Sequence, residues 1–254
     1  MNAAIPQLTA FDVVTQLIAA GVYLSIGLAA LAHAPSDERT RVFSGLGLMH
    51  AIAFCIPVAA WALGEKDPFA FDRLPMAAML SALAMAALLM FHFSQVFPAR
   101  RPWIRSSGPQ LPIAYVLTPI VVFTLVRWWP TAPAQATPSF GLVFIVFGFP
   151  LMVLLGLVLP IASIVSLLRS LREASPPARV PLAGIVLSQL AGGALSLLVL
   201  GPLTVAAPES PAVVVVGVTV WLLGLLTPVA YAAGIWKYGV LAIGGPRSAE
   251  VKAD

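Results

Sequence analysis

Seven apolar runs, parted by short polar breaks, predict a chain that threads a lipid bilayer as helices. Hydrocarbon offers no water to the backbone, so each run must close its own hydrogen bonds. Runs this long and this uniformly apolar suit helices and not barrel strands. Composition agrees: 60% of the 254 residues are hydrophobic and 9% are charged, where a soluble domain carries roughly a quarter charged residues. The expected fold class is all-α, a polytopic seven-helix transmembrane bundle over 1–243 with a short tail over 244–254. Little length is left for a soluble domain.

The spans read as Leu8–Ala32, Val42–Leu63, Leu74–Phe97, Leu111–Trp129, Phe140–Leu168, Val180–Val205 and Ala212–Ile243. Basic residues alternate sharply between the connections. One set holds Arg39, Arg41, Arg100, Arg101, Arg105, Arg169, Arg172, Arg179, Lys237, Arg247 and Lys252; the other holds Lys66, Arg73 and Arg127. Positive residues resist translocation and mark the cytoplasmic side. The N-terminus is therefore expected outside and the C-terminus inside, which an odd number of spans requires. Trp61, Trp128 and Trp129 fall at the outer rim, and Trp103 and Trp236 at the inner rim, where indole prefers to sit. The basic excess is accounted for by topology, so no nucleic-acid partner is implied. Asp12 stands where a secretory leader would be positive, so the first run is expected to be a span and not a cleaved signal. Cys55 is alone inside an apolar run, which leaves no disulfide or thiolate metal framework.

Small residues recur every fourth position in span six, at Gly184, Ser188, Gly192 and Ser196, and in span one, at Gly21, Ser25 and Ala29. Such a stripe lets a neighbouring backbone approach closely. Packing within the bundle is the leading expectation, and a homodimer face on span six the alternative. Pro119, Pro150, Pro160 and Pro228 interrupt spans and kink them, which makes span five, with two, a candidate deformable element.

Ionisable and polar residues within the spans are the candidates for function. In the assigned topology His50 and His92 lie about 12 Å and about 9 Å from the inner end of consecutive helices. Imidazoles at similar depth suit a metal or a bis-imidazole haem b, with His33 as a third member. The competing expectation is that each bonds a neighbouring helix. Asp12, Gln16 and Arg127 lie near the outer ends of spans one and four. Solvation at the rim explains them most simply; an Asp12–Arg127 pair in an outward-facing ligand pocket is the alternative. Gln95 and Gln189 are expected to join helices. No acidic pair in the membrane core relays protons, no paired broken spans announce a transporter site, and no mid-membrane Lys on the last span offers a retinal attachment. Phosphate-loop, HExxH, GxSxG and kinase motifs are missing from the sequence, and no enzyme activity is expected.

Two segments resemble a known family. Span three closes on Phe91, His92, Phe93, Ser94, Gln95, Val96, Phe97, Pro98, Ala99, Arg100, Arg101 and Pro102. Span seven closes on Pro228, Val229, Ala230, Tyr231, Ala232, Ala233, Gly234, Ile235, Trp236, Lys237, Tyr238, Gly239, Val240, Leu241, Ala242 and Ile243. The first resembles the "HF-x-x-x-FP-x-R" end of the third helix, and the second the "P-x-AYA-x-x-(R/K)Y-x-L-x-I" exit, of the seven-helix N-terminal sensor region of bacterial membrane histidine kinases. The resemblance implies a receptor-like bundle of the bacterial inner membrane, with Pro228, Tyr231, Lys237 and Tyr238 at its signal exit. In that family cytoplasmic domains follow the last helix, whereas this sequence runs about a dozen residues past Ile243. Kinase activity is therefore not carried over. The leading expectation is a sensory or signal-relay module surrounded by the lipid bilayer and acting through a separate protein partner. The alternatives are an accessory or scaffold subunit and a haem- or metal-binding protein using His50 and His92.

Overall fold

Capping residues set where the helices begin and end. Asp37 caps the second helix, its carboxylate accepting from the Arg39 backbone N–H at 2.8 Å. Gly64, at φ 89°, closes the same helix in the left-handed region that glycine tolerates. Ser175 and Ser210 stand before Pro176 and Pro211, placing proline in the first turn where its missing N–H is harmless. The computed structural model describes residues 10–64, 74–97, 110–128, 141–142, 144–206 and 210–237. Among these residues every regular element is helical.

We number the elements α1 (Ala10–His33), α2 (Glu38–Ala62), α3 (Leu74–Val96), α4 (Gln110–Arg127), α5 (Phe144–Glu173), α6 (Pro176–Leu195, continuing through Ser196–Leu200 to Gly201–Ala206) and α7 (Pro211–Trp236). Six of the seven expected spans are helices long and apolar enough to cross a membrane. The fourth is the shorter apolar helix Leu111–Arg127. The chain is thus a multi-pass membrane protein, all-helical among the described residues. Lys66, Arg73, Arg100, Arg101, Trp103, Arg105, Trp129, Tyr238, Arg247 and Lys252 lie outside the described residues.

α1, α2, α3, α5, α6 and α7 follow one another round a closed ring, with α7 back against α1. α4 packs on the outside of α3 and touches the start of α5. The ring is tight at the end where the α1–α2 and α5–α6 turns lie, hereafter the basic end. There Phe43, Phe93, Phe97 and Tyr231 are fully buried together with Leu46, Leu167, Leu182 and Ile185. Tyr231 stacks on Phe43 at 3.8 Å and meets Phe93 and Phe97 edge-on at 5.2 and 5.4 Å. Lipid tails are as apolar as these side chains, so dispersion and ring geometry, not water exclusion, hold this cluster.

Close backbone approach supports the tight end. A Cβ on Gly47 would fall 2.5 Å from the Tyr23 carbonyl oxygen, and one on Gly27 would fall 3.2 Å from the Ser44 Cα. These two glycines, not the Gly21–Ser25–Ala29 stripe, form the α1–α2 crossing. That stripe faces outward, and a Cβ on Gly21 would meet nothing within 4 Å. The span-six stripe faces α7: Gly184 would bring a Cβ to 2.8 Å from the Ala230 Cβ, and Ser188 donates to the Leu223 carbonyl at 2.6 Å. With α7 seated there, packing within the bundle has taken the face that a span-six homodimer needs.

α5 departs from a regular helix. Five-residue π turns at Phe144–Gly148 and Leu154–Val158 stand just before Pro150 and Pro160, and a third at Ser196–Leu200 in α6 stands just before Pro202. A proline ring collides with the carbonyl four residues back. The wider π turn carries that carbonyl clear, and the Leu159 N–H reaches to Leu154, five residues back. The N-terminal half of α5 also packs weakly. α3 meets it mainly along Leu159–Glu173, while Ile145, Phe147, Phe149, Met152 and Leu157 are exposed to at least half of their surface.

Candidate functional site

Where α5 leaves α6, the ring opens into a cavity of about 800 Å³ running from mid-bundle toward the end opposite the basic turns. Its floor is a smaller hollow of about 200 Å³ that shares Tyr23, His50, Leu83, Pro160 and Gln189 with it. Each wall comes from a different helix: Tyr23 from α1, His50 from α2, Leu83 from α3, Pro160 from α5, Gln189 from α6 and Trp221 from α7. Among the described residues no charged side chain lines either space.

His50 is the polar centre of this site. Its ring stacks on Tyr23 with centroids 4.4 Å apart and planes 10° from parallel. Its Nδ1 stands 2.9 Å from the Leu46 carbonyl oxygen. A carbonyl only accepts, so Nδ1 carries the proton. Among the described residues no carboxylate lines the cavity to compensate an imidazolium, and with Nδ1 bonded to Leu46 it is Nε2 that offers a lone pair. Tyr23 is held by its own bond, the hydroxyl donating to the Gly224 carbonyl on α7 at 2.9 Å. Gln189 donates to Thr227 at 3.4 Å, and Thr227 donates to Ser188 at 2.8 Å, which joins α6 to α7 beneath the cavity. At the far end the Trp221 indole donates to the Thr15 carbonyl at 3.1 Å. The neighbouring Gln16 places its Oε1 buried with no hydrogen-bond partner.

His92 belongs to another part of the molecule. Its Nδ1 is hydrogen-bonded to the Tyr115 hydroxyl on α4, and its Nε2 stands 3.5 Å from Oε1 of Glu38 at the start of α2. Twelve residues separate Glu38 from His50, which is about 18 Å of helix. The two imidazoles expected at similar depth therefore stand at different levels with different partners, and the expected shared haem or metal site is not assembled from them. Among the described residues no three of His, Cys, Asp and Glu come together as a metal site. His33 closes the last turn of α1.

Asp12 and Gln16 stand on α1, which packs on α2 and α7, whereas Arg127 ends α4, which packs on α3 and the start of α5. Of the three, Gln16 is the one whose helix face, continued through Ala19 and Tyr23, leads to the cavity. Gly192 and Ser196 line the cavity, so the small-residue stripe serves the site as well as the α6–α7 contact. Pro228 and Tyr231 are buried in the bundle, and Lys237 caps the end of α7. Gln189 joins helices as expected; Gln95 donates to Ser94 beside it at 3.0 Å, and the Ser94 carbonyl accepts from Ser166 of α5 at 3.0 Å.

Tyr23 and Tyr115 were not singled out by the sequence reasoning, although each had a signal. A tyrosine within an apolar run, away from the rims, needs a partner for its hydroxyl. Outside the spans, Asp37 grips Arg39 through Nε–Oδ1 and Nη2–Oδ2 contacts of 3.0 and 2.6 Å. Partial burial works against its charge, but the hydrogen bonds from Arg39 and the charges of Arg39 and Arg41 prevail and hold the carboxyl below the usual carboxylate range. A second hollow, about 480 Å³ and lined by apolar side chains of α3, α4 and α5, lies on the other face of α5 and shares Leu83 and Gly156 with the cavity. No family model, curated protein or solved structure matches the chain.

Proposed function

We propose that this chain is a non-enzymatic sensory or signal-relay module of a bacterial inner membrane, crossing it seven times with the N-terminus outside and the C-terminus inside. The observation that supports this reading is the contrast along the bundle: an open cavity in one half and a close-packed aromatic cluster in the half beside the basic turns. α5 and α7 belong to both halves. α5 lines the cavity at Gly156 and Pro160 and buries Leu167 in the cluster; α7 lines it at Trp221 and Gly224 and buries Tyr231. A ligand that binds two arrangements of this cavity with different affinity would shift those helices at the basic end, where a cytoplasmic or membrane partner would respond. The resemblance of the span-three and span-seven ends to histidine-kinase sensor regions points the same way.

Affinity purification in mild detergent, with partners identified and an absorption spectrum taken on the same sample, tests this reading. A kinase, cyclase or response regulator that co-purifies is the expected result. A partner held at fixed stoichiometry whatever the stimulus would instead make the chain an accessory subunit. A Soret band would restore a haem. Tags on both termini, probed in intact cells, should show the front accessible and the tail protected; the reverse result would overturn the relay geometry.

A further inference from the structure

We infer that the cavity takes a neutral, hydroxyl-headed amphiphile from the bilayer, its O–H donated to His50 Nε2 and its apolar chain lying in the cleft between α5 and α6. The inference rests on the cavity being the sensing site and adds the chemistry of what it senses.

The head chemistry follows from the polar atoms on the cavity wall. With Nδ1 committed to the Leu46 carbonyl, His50 can offer a neutral ligand only an acceptor. The Tyr23 ring behind it is fixed by its bond to Gly224, so the imidazole is braced and not free to turn away. Gln189, whose amide nitrogen reaches Thr227, lines the same wall. A carboxylate or phosphate head would enter a space that no described lysine or arginine lines, and would lose its hydration there. An ammonium head meets the same objection, since no described carboxylate lines the space. An uncharged donor remains, and a hydroxyl is its simplest form on an amphiphile.

The chain follows from the other walls. Leu157, Ile161 and Leu190 line the cavity and are also among the half-exposed apolar residues of the bundle surface. The cavity is therefore continuous with the membrane-facing side between α5 and α6. α5 meets α6 along the Leu159–Glu173 stretch near their shared turn, and above it α5 winds through the π turn Leu154–Val158. A long-chain alcohol and an alkyl quinol share the required chemistry.

The test is photolabelling of the whole chain in phosphatidylcholine nanodiscs with hexadecanol carrying a mid-chain diazirine. Label is expected on α5 and α6 peptides that border the cleft. Unlabelled hexadecanol should compete about tenfold better than hexadecyl methyl ether, which has the same chain without the donor. A decyl quinol that competes as well as hexadecanol would assign an aromatic hydroxyl; a weaker one would assign an aliphatic hydroxyl, and both uphold the class. His50→Phe keeps a ring against Tyr23 and removes Nε2, so it should erase the alcohol-over-ether preference. Gly156 and Gly193 line the cavity and a Cβ at either meets nothing within 4 Å, so Gly156→Phe and Gly193→Phe should lower labelling. Equal competition by alcohol and ether in the unaltered protein, or label spread evenly over lipid-facing helices, overturns the inference even if His50→Phe fails to fold. Labelling needs no partner protein. Its failure removes the ligand class and leaves the relay reading to be judged by co-purification.

Discussion

The two halves of this bundle are built from the same residue types and behave as different materials. At the basic end, Phe43, Phe93, Phe97 and Tyr231 meet ring against ring, while Gly27 and Gly47 let α1 and α2 touch backbone to backbone. At the other end, α5 winds through two π turns, leaves α6, and exposes much of its surface. Because lipid competes on equal terms with any apolar side chain, hydrophobicity does not decide which half packs. Shape does. Small residues opposite backbone, and rings opposite rings, make the closed half; prolines with relieved carbonyls make the open one.

The sharpest way to break this contrast is to remove the ring at the centre of the closed half. Tyr231→Ala is expected to destabilise the protein by about 3–5 kcal/mol, read as a large fall in Tm in mild detergent. Phe147→Ala, on the exposed side of α5, should stay within about 0.5 kcal/mol. If the two losses are equal, the halves do not differ as described. Tyr231→Phe sharpens the point. The hydroxyl is buried with no partner, so its removal should leave stability unchanged or raised, whereas a hidden bond would cost about 1 kcal/mol.

Next in size is the helix crossing. Gly47→Val forces a side chain against the Tyr23 carbonyl and is expected to cost about 1–3 kcal/mol. Gly21→Val, with open space around it, should be near neutral, and a loss as large as that of Gly47→Val would return the packing role to the outer stripe. Smaller again is Ser188→Ala, which removes a donor to Leu223 and an acceptor for Thr227. Interhelical bonds of this kind average about 0.6 kcal/mol in membranes. The effect should be read both as a Tm shift and as weaker competition by hexadecanol, since Gln189 is held through the same chain.

These positions show what a sequence can and cannot disclose about a membrane bundle. Apolar runs located the helices because the backbone's need for internal hydrogen bonds acts residue by residue along the chain. The span-six stripe was legible for the same reason: spacing of four defines a face whatever lies opposite. Which face meets which neighbour is a property of pairs of helices. Span one carried two small-residue faces, and the regular one at Gly21, Ser25 and Ala29 faces outward, while Gly27 meets Gly47 through an irregular spacing on α2. The histidines failed to pair for a related reason. Depth along each helix was read from a nominal boundary, but α2 begins at Glu38, several residues before the apolar run at Val42, and Glu38 stands beside His92. His50 was legible as a polar residue within a span; Tyr23, which braces it, was not sought because it carries no charge.

The smallest expected effect lies outside the membrane, at the turn that anchors the closed half. Asp37 caps α2 and grips Arg39, and its carboxyl titrates below the usual carboxylate range in the folded protein. A lowered folded value means that the unfolded chain binds the proton more readily. The charge therefore contributes stability above the unfolded carboxylate range, and that contribution fades as pH falls through the folded value. Asp37→Asn retains an acceptor for the Arg39 N–H and removes the charge. The Tm difference between the natural protein and Asp37→Asn should be constant near neutral pH and shrink steadily as the micelle solution is acidified below the unfolded range. A difference that stays constant, or grows with acid, would mean that the folded carboxyl is not held below its unfolded range and that its charge adds nothing to holding the closed end together.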